Sequence, residues 1–226
     1  MLSVVATTAM VGCSHQEAKP GQATVPPPVV SSDLPASLQS DGYRYVGLSY
    51  TQTRPMEMLQ NGKALCTGTQ TVTFSGLKGG NAAYTVTNTG ELGTILGNLT
   101  LSVEPSGVYD VSSTVEAGTT HDLELPASLA TGTKWTSKST FFTKKGDKIT
   151  NNDTCRVVGP QSVTTPAGVF NALLVQSDGT GEFNSEPYKE QSHMWYVKDR
   201  GLVKWEVIDT KLPSGPPMIT VEEETK

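Results

Sequence analysis

Apolar residues in this chain recur at every second position. Val72 and Phe74 alternate with threonines, as do Tyr84 and Val86. Leu99, Leu101 and Val103 alternate before Pro105-Ser106-Gly107, and Tyr109, Val111, Ser113 and Val115 follow on one face. A period of two sends successive side chains to opposite sides of an extended backbone, so these runs predict strands with one buried face. Residues 43–51, aromatic and β-branched, predict a further strand. Beyond the connector Pro126-Ala127-Ser128-Leu129, residues 134–144 predict a strand carrying Trp135, Phe141 and Phe142. Lys145-Gly146-Asp147 predicts a turn and residues 148–158 the returning strand. Thr165-Pro166-Ala167-Gly168 suits a type I turn, with proline second and glycine fourth. Residues 170–176 read as a buried strand and Asp178-Gly179-Thr180-Gly181 as a hairpin tip. Residues 191–198 and 201–210 predict a hairpin around Asp199-Arg200-Gly201, with Val203, Trp205 and Val207 facing the core. Residues 218–222 predict a short last strand, and Glu222-Glu223-Glu224 a solvated acidic tail. With no helical stripe of ten residues, ten to twelve short strands make an all-β domain, as a barrel, half-barrel or sandwich.

Composition agrees. The chain has 226 residues with 22 glycines and 14 prolines, enough for one sizeable core and suited to turns and strands. Its formal net charge is −5, with 17% charged residues. That argues against nucleic acid as a partner, because phosphate binding needs clustered Lys and Arg.

The N-terminus changes the picture. Residues 2–11 are mostly apolar and lead into Met10-Val11-Gly12-Cys13, which resembles a bacterial lipobox. In that pattern the cysteine, here Cys13, becomes the lipidated first residue of the exported protein. The segment departs from the pattern in having Met for the usual Leu and no Lys or Arg before Cys13. The resemblance implies attachment to a membrane through N-terminal acyl chains, and two or more chains hold firmly where one holds marginally. Ser14 in place of Asp leans toward the outer membrane, facing the periplasm. Residues 1–12 are thus a lipoprotein signal segment and 13–40 a disordered Pro/Ser-rich tether, with a reach of roughly 30 Å. Residues 41–212 form the antiparallel β domain and 213–226 a C-terminal tail. No other segment approaches the ~20 apolar residues that span a bilayer.

With Cys13 lipidated, Cys66 and Cys155 are left as an even pair. In an oxidising compartment such a pair reads as one disulfide, which stabilises by about 4–5 kcal/mol in the chain-entropy model. The competing reading is two buried free thiols. His121 and His193 stand without a second ligand at metal-like spacing, so no metal site or cofactor is expected. No Gly-x-Ser-x-Gly elbow is present, and no acidic pair is assignable as general acid and base from spacing. Trp135, Phe141, Phe170, Trp195 and Trp205 cluster in the second half. They suit a packed core, or the lining of an apolar cup.

Two segments carry a further resemblance. Residues 163–175, with Thr165-Pro166-Ala167-Gly168-Val169-Phe170, and residues 194–204, with Trp195-Tyr196-Val197 and Gly201-Leu202-Val203-Lys204, follow Gly132-Thr133-Lys134-Trp135. Together they resemble a family of secreted bacterial domains of unknown function that includes pilus-associated TapB-like proteins. The likeness covers residues 126–208 by motif and 41–125 by general character. It implies a single curved antiparallel sheet or half-barrel of the kind found in the LolA and LolB lipoprotein carriers, and it brings no catalytic residue. The resulting expectation is a non-enzymatic, lipid-anchored envelope protein that binds or scaffolds, with an envelope protein or a lipid as partner. A periplasmic carrier or sensor of an acyl chain or other apolar ligand in the half-barrel cup, and a hydrolase of envelope polymers, are the alternatives.

Overall fold

The computed structural model describes residues 34–49, 51–115, 121–142, 146–209 and 218–226. The signal segment, Cys13 and most of the tether lie outside these residues. A short 3-10 turn, Ala36–Leu38, precedes α1 (Asp41–Val46). The first meander contains β1 (Gln52–Gln60), β2 (Lys63–Lys78), β3 (Asn81–Asn88), α2 (Gly90–Leu96), β4 (Leu99–Glu104), β5 (Gly107–Ser113) and β6 (Asp122–Pro126). The second contains β7 (Lys134–Phe142), β8 (Lys148–Thr165), β9 (Gly168–Phe183), β10 (Glu186–Val197), β11 (Gly201–Asp209) and β12 (Met218–Glu224). They join into one antiparallel sheet of order β6-β5-β4-β3-β2-β1-β12-β11-β10-β9-β8-β7. The sheet curls until β6 approaches β7, and a core cluster containing Leu125, Trp135 and Cys155 spans the gap. The all-β, curved antiparallel expectation therefore holds, as a sheet nearly closed into a barrel.

The apolar alternation is what fills the first meander. Val72 pairs with Val86, Tyr84 with Leu101, and Ala82 with Val103, which pairs in turn with Val108. All seven are buried in one cluster, with Tyr43 of α1 and Leu34 and Leu38 ahead of it. The end of the segment read as tether thus packs into the core.

Three expectations are corrected. Residues 43–51 do not form a strand. Ser40 caps a helix by accepting from the Tyr43 backbone N–H at 3.2 Å, and Gly47 ends it at φ 82°. These end signals, with burial of Tyr43, outweigh the strand preference of Tyr43, Tyr45 and Val46. Val46 packs against both large clusters, so α1 wedges the two halves together. Asp178-Gly179-Thr180-Gly181 is not a hairpin tip but lies inside β9, which turns at Asn184-Ser185. The acidic tail is not solvated: Glu222, Glu223 and Glu224 are buried in β12, between β1 and β11.

Candidate functional site

Register partners in an antiparallel sheet share a face, so β7–β10 present ordered rows to the interior. One row is Val157, Val175 and Met194; the next is Cys155, Ser177 and Ser192. Then come Asp153, Gly179 and Glu190, and finally Asn151, Gly181 and Tyr188. The face grades from apolar to acidic along the strands. The two glycines are what let the outer pairs meet. A Cβ at Gly179 would lie 2.1 Å from Asp153 Oδ1 and 2.8 Å from Glu190 Cγ, and one at Gly181 would lie 2.6 Å from the Tyr188 ring. Over Gly179 the Asp153 carboxyl comes near Glu190 and Ser177, and its Oδ1 has no hydrogen-bond partner among the described residues. Over Gly181 the Tyr188 hydroxyl donates to Asn151.

These rows wall a cavity of about 100 Å3 that includes Ser137, Asp153, Cys155, Glu190 and, from the facing strand, Glu124. Glu124 is the extra residue of the bulge that shifts β6 against β5, and bulges re-aim side chains. It keeps contact with solvent, and it accepts from the Tyr196 hydroxyl at 2.9 Å. Burial pushes the Asp153 carboxyl up, with hydrogen bonding pulling the other way. Burial also raises the Cys155 thiol to about 12, which keeps it a neutral thiol. No group of His, Cys, Asp and Glu among the described residues has the arrangement of a metal site.

The second cluster of charge is the seam where β12 joins the halves. Arg200 makes a two-pronged ion pair with Glu224, with Nε donating at 3.0 Å. Arg54, itself 4% exposed, stands 3.5 Å from Glu224 Oε2. Arg54 also donates to the Leu202 carbonyl at 2.8 Å and to Gln70 Oε1 at 2.7 Å. Gln70 passes the chain on to Asn88 at 3.3 Å. Beside the seam a cleft of about 380 Å3 is lined by Thr53, Pro55, Ala167, Arg200, Glu224 and Thr225. At the adjacent turn Arg44 pairs through two nitrogens with Asp199, which also accepts from Ser49 at 3.0 Å. The hairpin expected at Asp199-Arg200-Gly201 is therefore fastened to the end of α1.

The residues singled out by sequence are dispersed. Trp135 is buried with Cys155, Val157 and Tyr196. Phe170 is buried in another cluster with Val163, Ala172 and Val203, where Trp195 packs at the edge. Trp195 donates to Gln161 at 2.8 Å. Trp205 is half-buried, whereas its neighbours Val203 and Val207 are buried. Phe141 lies on β7, and its side chain is outside the described residues. Among the described side chains, Trp135 belongs to one cluster and Phe170 with Trp195 to another. The Cys66–Cys155 disulfide is corrected: both are free buried thiols. Cys66 packs under α2 with Met56, Met58 and Leu92, and Cys155 packs beside Trp135, so each completes a different cluster. His121 stacks on Tyr109 at 4.2 Å and meets Glu104 at 2.9 Å. His193 meets Glu206 at 3.3 Å.

No family model matches the chain, and no curated protein matches it. Among solved structures it is similar to a candidate lipoprotein from Parabacteroides distasonis, with a TM-score of 0.52 at 14% identity over 77% of this chain and 93% of that one. A candidate exported protein with a YmcC-like fold from Bacteroides fragilis gives a TM-score of 0.45 at 12% identity, over 77% and 93%. The hypothetical lipoprotein YmcC from Escherichia coli gives 0.34 at 11% identity, over 83% and 89%. At such identities the likeness is one of fold, and it rests on the Parabacteroides protein: this chain has the fold of a candidate bacterial lipoprotein.

Proposed function

We propose that the chain is a lipid-anchored protein of the bacterial cell envelope, held through Cys13, whose β domain binds or scaffolds without catalysing. The observation that carries this reading is that, among the described residues, the interior is occupied by the protein's own side chains. The first meander holds one large apolar cluster. The interior cavity of the second, about 100 Å3 and walled by carboxyls and serines, is below the roughly 300 Å3 of small-molecule pockets. It is too polar for an acyl chain, and the larger cleft beside the seam is walled by Arg54, Arg200 and Glu224.

Two things support the envelope setting. One is the segment Met10-Val11-Gly12-Cys13. The other is the fold shared with the Parabacteroides candidate lipoprotein. Kinship with TapB-like secreted domains and a place on the outer membrane facing the periplasm are the finer parts of the same proposal. The test is metabolic labelling with palmitate and membrane fractionation of the full chain and its Cys13→Ser variant. The expected result is label and membrane association in the first and neither in the second. Unlabelled wild-type protein, or a variant that stays on the membrane, overturns the anchor. Native mass spectrometry of the purified protein should give the lipidated polypeptide alone, and a co-purified fatty acid would favour a carrier instead.

A further inference from the structure

The three glutamates of β12 stand in three different settings. Glu223, on one face, meets Lys204 Nζ at 3.3 Å. Glu224, on the other, is claimed by Arg200 and Arg54. Glu222 shares the face of Glu224 and is 4% exposed, yet its Oε1 has no hydrogen-bond partner among the described residues. Arg54 of β1 is the cation whose field reaches Glu222, and its Nη1 and Nη2 already serve Leu202, Gln70 and Glu224. The register partners, Met58 on β1 and Trp205 on β11, carry no charge. The Trp205 indole N–H is likewise buried without a partner. From β2 the Cys66 thiol and from β10 the Tyr196 hydroxyl lie within electrostatic reach, and burial keeps both neutral. A buried carboxylate with no dedicated cation is unfavourable, and the neutral acid is the form such a site accepts.

The position matters as much as the burial. Among the described strands, β12 alone is hydrogen-bonded to both β1 and β11, so it carries the continuity between the two meanders. We propose that Glu222 makes this seam a proton-controlled latch: with the carboxyl neutral the β1–β12–β11 pairing is tight, and with it ionised the pairing slackens. Burial raises the Glu222 carboxyl to about 7, with Arg54 pulling the other way. The closed seam therefore holds this proton more tightly than the open one. Its contribution is complete below the ordinary carboxylate range, near 4.5, and is lost as pH rises from there through 7.

Hydrogen-exchange mass spectrometry on the full chain between pH 5.5 and 8.5, corrected for intrinsic exchange, tests this. β1 and β12 amides of the wild type should open about 30-fold more often at the upper pH, the ratio that linkage gives for a carboxyl moved from 4.5 to about 7. In Glu222→Gln the opening should not change with pH. A wild type without the rise, or the same rise in Glu222→Gln, overturns the latch. Should the variant fail to fold, carbon-13 titration of the glutamate carboxyls in the wild type decides it. One midpoint near 7 that protects β12 while protonated supports the latch, and every midpoint below 5 overturns it.

Discussion

The two meanders use the same alternation to build opposite interiors. In the first, the inward rows are apolar over most of their length, Val72 with Val86, Tyr84 with Leu101, and Ala82 with Val103 and Val108, and turn polar at Arg54, Gln70 and Asn88 beside the seam. In the second, the inward rows run from Val157, Val175 and Met194 to Asp153 with Glu190 and Asn151 with Tyr188. A period of two sets which side faces in, and residue type sets what that side is worth. The first face stabilises by removing apolar area from water. The second gives up much of that term and holds a hydrogen-bonded polar net, which specifies geometry more than it stabilises. The seam of β12 lets one sheet contain both.

That contrast is open to attack, starting where the effect is largest. Leu101→Ala, in the apolar half, should cost about 2–5 kcal/mol, the range for buried large-to-small changes. Chemical denaturation checks it, and a loss under 1 kcal/mol would mean that this half is not the stabilising core. Gly179→Val acts on the polar half through geometry. Its Cβ would sit 2.1 Å from Asp153 Oδ1, so the Asp153–Glu190 contact must part or β9 must shift. A cost of about 1–3 kcal/mol is expected, as for overpacked interiors. An unchanged denaturation midpoint would show that the two carboxyls do not meet over this glycine.

In the first meander β2 to β5 were legible because their apolar residues recur at every second position, whereas β1 and β6 were not. α1 was hidden because Tyr43, Tyr45 and Val46 read as strand formers, and the helix depends on Ser40, Gly47 and the burial of Tyr43. β12 was hidden because three successive glutamates look solvated. Two of them are buried against cations that the fold brings to them, Glu223 by Lys204 and Glu224 by Arg200 and Arg54. The Asp153–Glu190 pair was hidden behind Gly179-Thr180-Gly181, which reads as a turn. The signal that was present is the spacing: two glycines two apart lie on one face of a strand and leave room for long neighbours on both sides. The paired thiols misled because even cysteine counts say nothing of which cluster each one completes.

The finest test of the contrast is electrostatic. Asp153 is held above its ordinary carboxylate range by burial, against the pull of hydrogen bonds from Glu190 and Ser177. A carboxyl raised in the folded state binds its proton more tightly there than in the unfolded chain, so its contribution is complete at acid pH and declines as pH rises through the folded value. Asp153→Asn keeps the shape and a donor toward Glu190 while removing the titration. The variant should lose part of the decline in stability between acid and neutral pH, and at neutral pH it should be as stable as the wild type or more so. Melting temperatures across that range measure it. An Asn variant that is less stable at neutral pH, with the pH slope intact, would mean that Asp153 works there as an anion. The second meander's interior would then be a charge-bearing surface.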